Sequence, residues 1–218
     1  MDEAALQEQV RYYRDCAAEY DATVLSDDAT INPLAQELRA WPPNVMARLA
    51  PCEQALELAC GTGIWTSYLL TVARHILAVD ASPEMLALNH NKIANARVRY
   101  QLADLFTWEA DTSVDLALAA LWFSHVPSER LPSMLSALRR AVHPGGQLCI
   151  IDEPDTSPVR TPAGEKPDLE LRELRDGRQF QIVKIYRSPQ RLAALCMDVG
   201  FTQVTHIPGT YFFGLIAQ

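Results

Sequence analysis

Ala55-Leu56-Glu57-Leu58-Ala59-Cys60-Gly61-Thr62-Gly63-Ile64-Trp65-Thr66 decides the fold. An apolar run enters a glycine turn and leaves it as a helix. Gly61 and Gly63 free the backbone there and put no side chain between the main chain and a ligand. The first turn of the following helix offers unpaired amides and the positive end of its dipole. The stretch therefore predicts a strand, a cofactor loop and a helix that together receive a polar or anionic group. The dinucleotide fingerprint needs a third glycine three residues after the second; Thr66 stands there, which disfavours NAD or FAD.

Downstream the pattern repeats. Ile76-Leu77-Ala78-Val79-Asp80 is a second apolar run closing on an acid, and Ser82-Pro83 then reads as a helix N-cap and first helical residue. A carboxylate at the tip of a second strand lies beside the first strand's loop, where it can accept both hydroxyls of a ribose. Val98 to Phe106 is a third such run, with Asp104 near its end. Three strands thus end in polar residues on one edge of a sheet.

This arrangement resembles the class I S-adenosylmethionine-dependent methyltransferases, in particular their small-molecule, ubiquinone/menaquinone-methyltransferase-like branch. Glu57 to Gly63 resembles motif I, Val79-Asp80 motif II and Ala103-Asp104-Leu105 motif III. Val114 to Ala120 resembles the fourth strand, and Leu138 to Asp152 the helix, Pro-Gly-Gly turn and fifth strand, so the likeness runs in order from about residue 52 to 152. It implies an α/β fold: a Rossmann-like, doubly wound, mostly parallel seven-stranded sheet with an antiparallel C-terminal strand, helices on both faces and an N-terminal helical lid. S-adenosylmethionine is the implied cofactor, with S-adenosylhomocysteine as product. The loop Gly61, Thr62 and Gly63 approaches its methionine part, and Asp80 with Ala81 meets the ribose. Met85 lies on the adenine, Asp104 accepts from the exocyclic amine and Leu105 offers an amide. Glu57 organises the loop or the cofactor's amino group, which the Ala119 or Ala120 carbonyl also faces, and Tyr20 of Tyr20-Asp21 lies close by.

Composition suits one compact enzyme domain. The chain has 218 residues, 49% of them hydrophobic and 21% charged, enough to bury a core without a second domain. Within it we expect a helical lid over 1–50, a cofactor core over 52–152, an insertion over 154–188 and a closing helix and hairpin over 188–218. An acidic start, Met1-Asp2-Glu3, and the absence of any apolar run of about 18 residues disfavour export and membrane spanning. Five scattered cysteines without a Cys-x-x-Cys pair suggest neither a metal site nor a disulfide framework, which fits a cytoplasmic protein. A net charge of −8 argues against a broad nucleic-acid footprint, with Arg139-Arg140 the nearest approach to a basic strip. The expected partner is a small molecule, acting on a monomer or homodimer. An RNA or protein methyltransferase, a noncatalytic cofactor-binding protein and an NAD-dependent oxidoreductase are the competing readings.

The remaining elements follow from periodicity. Leu6, Val10, Tyr13, Ala17 and Tyr20 recur at helical spacing over 3–20, and a second helix is expected over 33–40. Leu131, Leu135, Leu138 and Val142 mark a helix over 128–142. Residues 154–177, with Pro154, Pro158, Pro162, Gly164 and Pro167, read as a long loop. Alternation over 178–186 predicts a strand, Ser188-Pro189 a helix reaching Gly200, and Pro208-Gly209 the turn of a closing hairpin.

For the acceptor, Trp122, Phe123 and His125 leave the fourth strand where, by the resemblance, the transferable methyl points. His125 is the general-base candidate, with Asp152 and Glu153 at the fifth strand's tip as rivals. Tyr12, Trp122, Phe123 and Arg178 are the expected substrate contacts, Arg178 and Lys184 suiting an acidic one.

Overall fold

The computed structural model describes residues 3–25, 34–158 and 168–218. In chain order it begins with α1 (Glu3–Val24), α2 (Leu34–Ala40), α3 (Pro42–Met46), β1 (Cys52–Leu58), α4 (Ile64–Leu69), β2 (Ala73–Asp80), α5 (Pro83–Ile93), β3 (Val98–Leu102) and β4 (Val114–Ala120). A 3-10 turn (Phe123–His125), α6 (Leu131–Ala141), β5 (Val142–Asp152), β6 (Leu169–Glu173), β7 (Gln179–Val183), α7 (Pro189–Asp198), β8 (Val204–Pro208) and β9 (Phe213–Ala217) follow. The main sheet has the order β3-β2-β1-β4-β5-β9-β8. β1 to β5 are parallel, and β9 runs antiparallel to both β5 and β8.

Strand alternation sorts two cores onto the two faces of this Rossmann-like sheet. Leu56, Leu58, Ala117, Ala119, Leu148 and Ile150 pack with Leu131, Leu135 and Leu138 of α6 and Leu192 of α7. Ala55, Leu116, Leu118, Cys149 and Ile151 face the other way, onto Leu38, Val45, Trp65 and Leu69 of α2 to α4. Strand order reverses between β1 and β4, so a crevice opens beyond their carboxyl ends.

Local signals explain the boundaries. Ser82 caps α5 by accepting the Met85 amide at 3.2 Å, and Ser188 caps α7 through the Arg191 amide at 3.2 Å. The helix expected over 128–142 starts at Leu131, with Pro132 in its first turn, and α1 runs one turn past the expected end. Pro144-Gly145-Gly146 is not a turn between elements but an irregularity within β5, whose register against β4 shifts between Val114 and Leu116.

The segment read as a loop over 154–177 needs the largest correction. Its end is β6, which pairs with β7 from Leu169 opposite Val183 to Glu173 opposite Gln179. Charged side chains at Glu170, Arg172 and Glu173 obscured a strand held by its pairing with β7, on which α1 packs. The strand expected over 178–186 ends at Val183. Residues 159–167, with Pro162, Gly164 and Pro167, and residue 33 of the expected second helix lie outside the described residues.

Candidate functional site: two joined chambers

The glycine loop is held open by its own geometry. Gly61 (φ +51°) has nothing within 4 Å of where a Cβ would sit, so the turn forms a cradle facing free space. Gly63, at φ +91°, caps α4, and a Cβ there would meet Asn89 Oδ1 at 2.7 Å. Asn89, fully buried on α5, ties the loop together: its Nδ2 donates to the Cys60 and Gly61 carbonyls and, at 2.9 Å, to Thr66 Oγ1, while Oδ1 accepts from the Tyr100 hydroxyl. Behind it lies Glu57, 2% exposed, which accepts from the Thr66 hydroxyl and whose Oε2 has no partner among the described residues. Burial pushes its carboxyl up to about 8, so Glu57 keeps its proton at neutral pH.

Asp80, at the tip of β2, accepts the Gly61 amide on Oδ2 and the Ser82 amide on Oδ1, both at 2.9 Å. It lines a cleft with Ala59, Gly61, Thr62, Ala81, Met85, Asp104, Leu105, Ala120 and Trp122. α1 closes that cleft with Gln9, Val10, Tyr13 and Tyr20. Asp21, one residue on, is fastened to the Thr62 hydroxyl and to Lys92. Two non-glycine residues at the strand tips, Ala59 (φ 59°) and Leu121 (φ 56°), adopt the left-handed conformation, a local strain of the kind that clusters at functional sites. Both line the cleft.

A second chamber adjoins the first and shares Tyr13, Tyr20, Leu38, Leu121 and His125 with it. Tyr12, Tyr186, Glu153, Glu170, Arg172 and Lys184 belong to its polar lining, with Glu19, Thr23 and Glu173. Burial raises the Tyr12 phenol to about 12 and pushes those of Tyr13, Tyr20 and Tyr186 up as well, so all four are neutral donors. Lys184, 6% exposed, pairs with Glu153, donates to Ser124 Oγ at 3.1 Å and lies 5.0 Å from the centre of the Tyr186 ring. The Arg172 guanidinium has one ion-pair partner among the described residues, Glu170 at 2.9 Å, and so keeps further N–H groups for a ligand.

The methyltransferase domain model matches residues 55–146. Among curated proteins the chain is 33% identical over 108 residues to malonyl-[acyl-carrier protein] O-methyltransferase of Pectobacterium atrosepticum, covering 48% of this chain and 40% of that one. It is 26% identical over 124 residues to an uncharacterized methyltransferase of Synechocystis sp., covering 57% and 58%. The chain thus spans about half the length of the curated relatives it matches. Among solved structures it superposes on the DhpI-SAM-HEP complex with a TM-score of 0.84 and 30% identity, over 100% of this chain and 99% of the other. The DhpI-SAH complex matches with the same TM-score, 29% identity and coverage of 100% and 98%. The chain belongs to the S-adenosylmethionine-dependent methyltransferases.

The residues fit that family's cofactor. A cradle at Gly61, a buried carboxylate at Asp80 and a second acid at Asp104 stand along one cleft, as a nucleoside with a charged tail requires. The indole N–H groups of Trp65 and Trp122, both in the cleft lining, have no acceptor among the described residues. Of the residues read from sequence as cofactor contacts, the cleft brings together Tyr20, Gly61, Thr62, Asp80, Ala81, Met85, Asp104, Leu105 and Ala120. Glu57 and Gly63 stand behind the lining and brace it.

Acceptor-side expectations divide more sharply. Trp122 lines the first chamber, Tyr12 and Glu153 the second, and His125 both. Phe123 does not reach either: its ring is fully buried in the core against α6. Arg178 is half exposed on the surface, paired with Asp176 and Asp15, because it sits in the turn between β6 and β7. Asp152 is buried with both oxygens spent, on the Ser124 amide at 2.7 Å and the Glu153 amide at 2.8 Å, which makes it an anchor for the turn. Sequence reading missed Gln9, Asn89 and Arg172. Asn89 and Gln9 are polar residues buried on helices with no motif around them, and Arg172 lies in the segment misread as loop.

Proposed function

We propose that this protein transfers the methyl group of S-adenosylmethionine to a small-molecule acceptor, and that the acceptor carries an acidic oxygen group seated in the second chamber. The carrying observation is the Arg172 guanidinium, whose unspent donors face a chamber that also holds Lys184 and four neutral phenols. Guanidinium N–H groups in a fork suit a bidentate oxyanion.

Bound S-adenosylmethionine supplies a methyl group already activated on a sulfonium. The residues then need chiefly to hold the nucleophile in line, which can supply about 7–11 kcal/mol. A positioned base adds roughly 10²–10⁴-fold where the acceptor must lose a proton. The three sequence candidates for that base are all engaged: His125 by Tyr13, Asp152 by two amides and Glu153 by Lys184. An acceptor that arrives ionised needs none of them, which supports the acidic reading. Of the similar proteins, one is an O-methyltransferase, and DhpI has been solved with SAM and HEP together. Five free cysteines suit a reducing compartment such as the cytoplasm.

A second reading, an amine acceptor, draws on Glu19, Glu153, Glu170 and Glu173 in the same lining. Each of them already has a partner, in Arg175, Lys184, Arg172 and Gln179 respectively. Incubation with methyl-labelled S-adenosylmethionine and cell extract, followed by separation by size and by anion exchange, tests the choice. We expect labelled low-mass products that bind the anion exchanger less tightly than their precursors. Label on RNA, on protein or on an amine would refute the proposal.

A further inference from the structure

One turn of α1 carries its most buried polar attachment. Gln9 and Tyr13 stand four residues apart and share a helix face. Gln9, 2% exposed, donates to the His125 carbonyl at 3.3 Å and accepts the Val183 amide at 3.0 Å. The Tyr13 hydroxyl lies 2.9 Å from His125 Nε2, and His125 Nδ1 lies 2.7 Å from the Val183 carbonyl. A carbonyl can only accept, so Nδ1 carries the ring proton, Nε2 is bare and the phenol donates to it.

These contacts close a ring through α1, the turn after β4 and the end of β7. Both backbone groups of Val183 are satisfied by side chains. Gln9, Tyr13 and His125 all line the cofactor cleft, so the ring fastens the element that covers it. Opening α1 strands buried donors and acceptors until water reaches them, and a partly opened ring is the costliest state.

We infer that Gln9 and Tyr13 are positioning residues, a latch by which His125 and Val183 hold α1 shut over the cofactor, and that opening of this ring limits cofactor release. His125 is then the receptor of the latch, not a free base. The groups facing its ring are Tyr13 and Tyr20 from α1, Arg172 from β6, Lys184 and Arg187 after β7, and Glu153 at the end of β5. Burial, and then the cations, hold the imidazole neutral, well below its ordinary value. Opening wets the ring and returns it towards about 6.5, so the open form binds a proton that the closed form does not. Below about pH 6.5 each further unit favours opening by up to tenfold.

Displacement of bound S-adenosylhomocysteine by excess S-adenosylmethionine, followed by stopped flow from pH 8 to 5, tests the latch without any acceptor. Tyr13→Phe and Gln9→Met are each expected to speed release roughly 2- to 12-fold at pH 7.5, the worth of one hydrogen bond. Wild-type release should accelerate below pH 6.5, and His125→Gln should remove that acceleration. The pH profile needs no variant, so a variant that fails to fold leaves the test standing. Wild-type release rates for folded Tyr13→Phe and Gln9→Met, or a wild-type rate flat from pH 8 to 5, would overturn the latch.

Discussion

The two chambers are built in opposite ways. The floor of the cofactor cleft comes from the consecutive strand-to-helix units between residues 52 and 120, and it presents backbone amides, glycine space and strand-tip carboxylates. The second chamber, which we assign to the acceptor, is assembled from α1, the turn after β4, the tip of β5, β6 and the segment after β7. Tyr12 and Tyr186, 174 residues apart, both line it. A local motif fixes the first chamber; long-range packing fixes the second. The difference implies that changes on the cofactor side disturb folding and cofactor affinity together, whereas changes on the acceptor side alter what is methylated and leave the cofactor in place.

Gly63→Ala is the harshest way to break the cofactor half. The new Cβ would meet Asn89 at 2.7 Å in a backbone conformation that L residues adopt at a cost of about 1–2 kcal/mol. Denaturant unfolding should show a loss of at least about 2 kcal/mol, with S-adenosylhomocysteine binding lost alongside. A stable, binding-competent variant would mean that the loop tolerates what its geometry forbids.

Arg172→Gln comes next and strikes the other chamber. Losing a charged hydrogen-bonding group costs about 1.5–3 kcal/mol, so kcat/KM for the acceptor should drop roughly 10- to 150-fold. Thermal stability should hold within a few degrees. Equal losses in acceptor and cofactor parameters would erase the distinction between the chambers.

A pH-dependent test of the cofactor half concerns Glu57. Its folded carboxyl titrates at about 8 against 4.5 when unfolded, so the native state binds the proton more tightly between those values. Stability contributed by this group is therefore full below about pH 4.5 and falls as pH rises towards 8. Glu57→Gln, which keeps the shape without the titration, should flatten the stability profile over that window in denaturant titrations. An unchanged slope would show that the Glu57 carboxyl binds its proton alike in the folded and unfolded states.

The cofactor half was legible in the sequence for a physical reason. Loop, strand tip and cap lie within a few residues of one another, so Gly61, Gly63, Asp80 and Ser82 declare their conformations locally. The seven-stranded, mostly parallel sheet came with the family resemblance that those motifs carry, and the strand order came from the structure. The acceptor half was half legible. Tyr12 and His125 were found from position after a strand or on a helix face, but Phe123 and Arg178 point elsewhere, because the phase of a short turn and of an edge hairpin is set by tertiary packing. Arg172 went unseen since β6 carries no apolar alternation; its side chain joins the second chamber only where β6 pairs with β7. Asn89 and Gln9 brace the site from buried positions that local patterns do not mark.

Calorimetric titration of S-adenosylhomocysteine into Asp80→Asn and Arg172→Gln tests the division most directly. Asp80 accepts two amides in the loop and is the cleft's buried carboxylate, so its neutral replacement should weaken binding by roughly 10- to 150-fold. Arg172→Gln should bind as the unaltered protein does. Comparable weakening in both variants, or unchanged affinity in Asp80→Asn, would contradict the assignment of one chamber to the cofactor and the other to the acceptor.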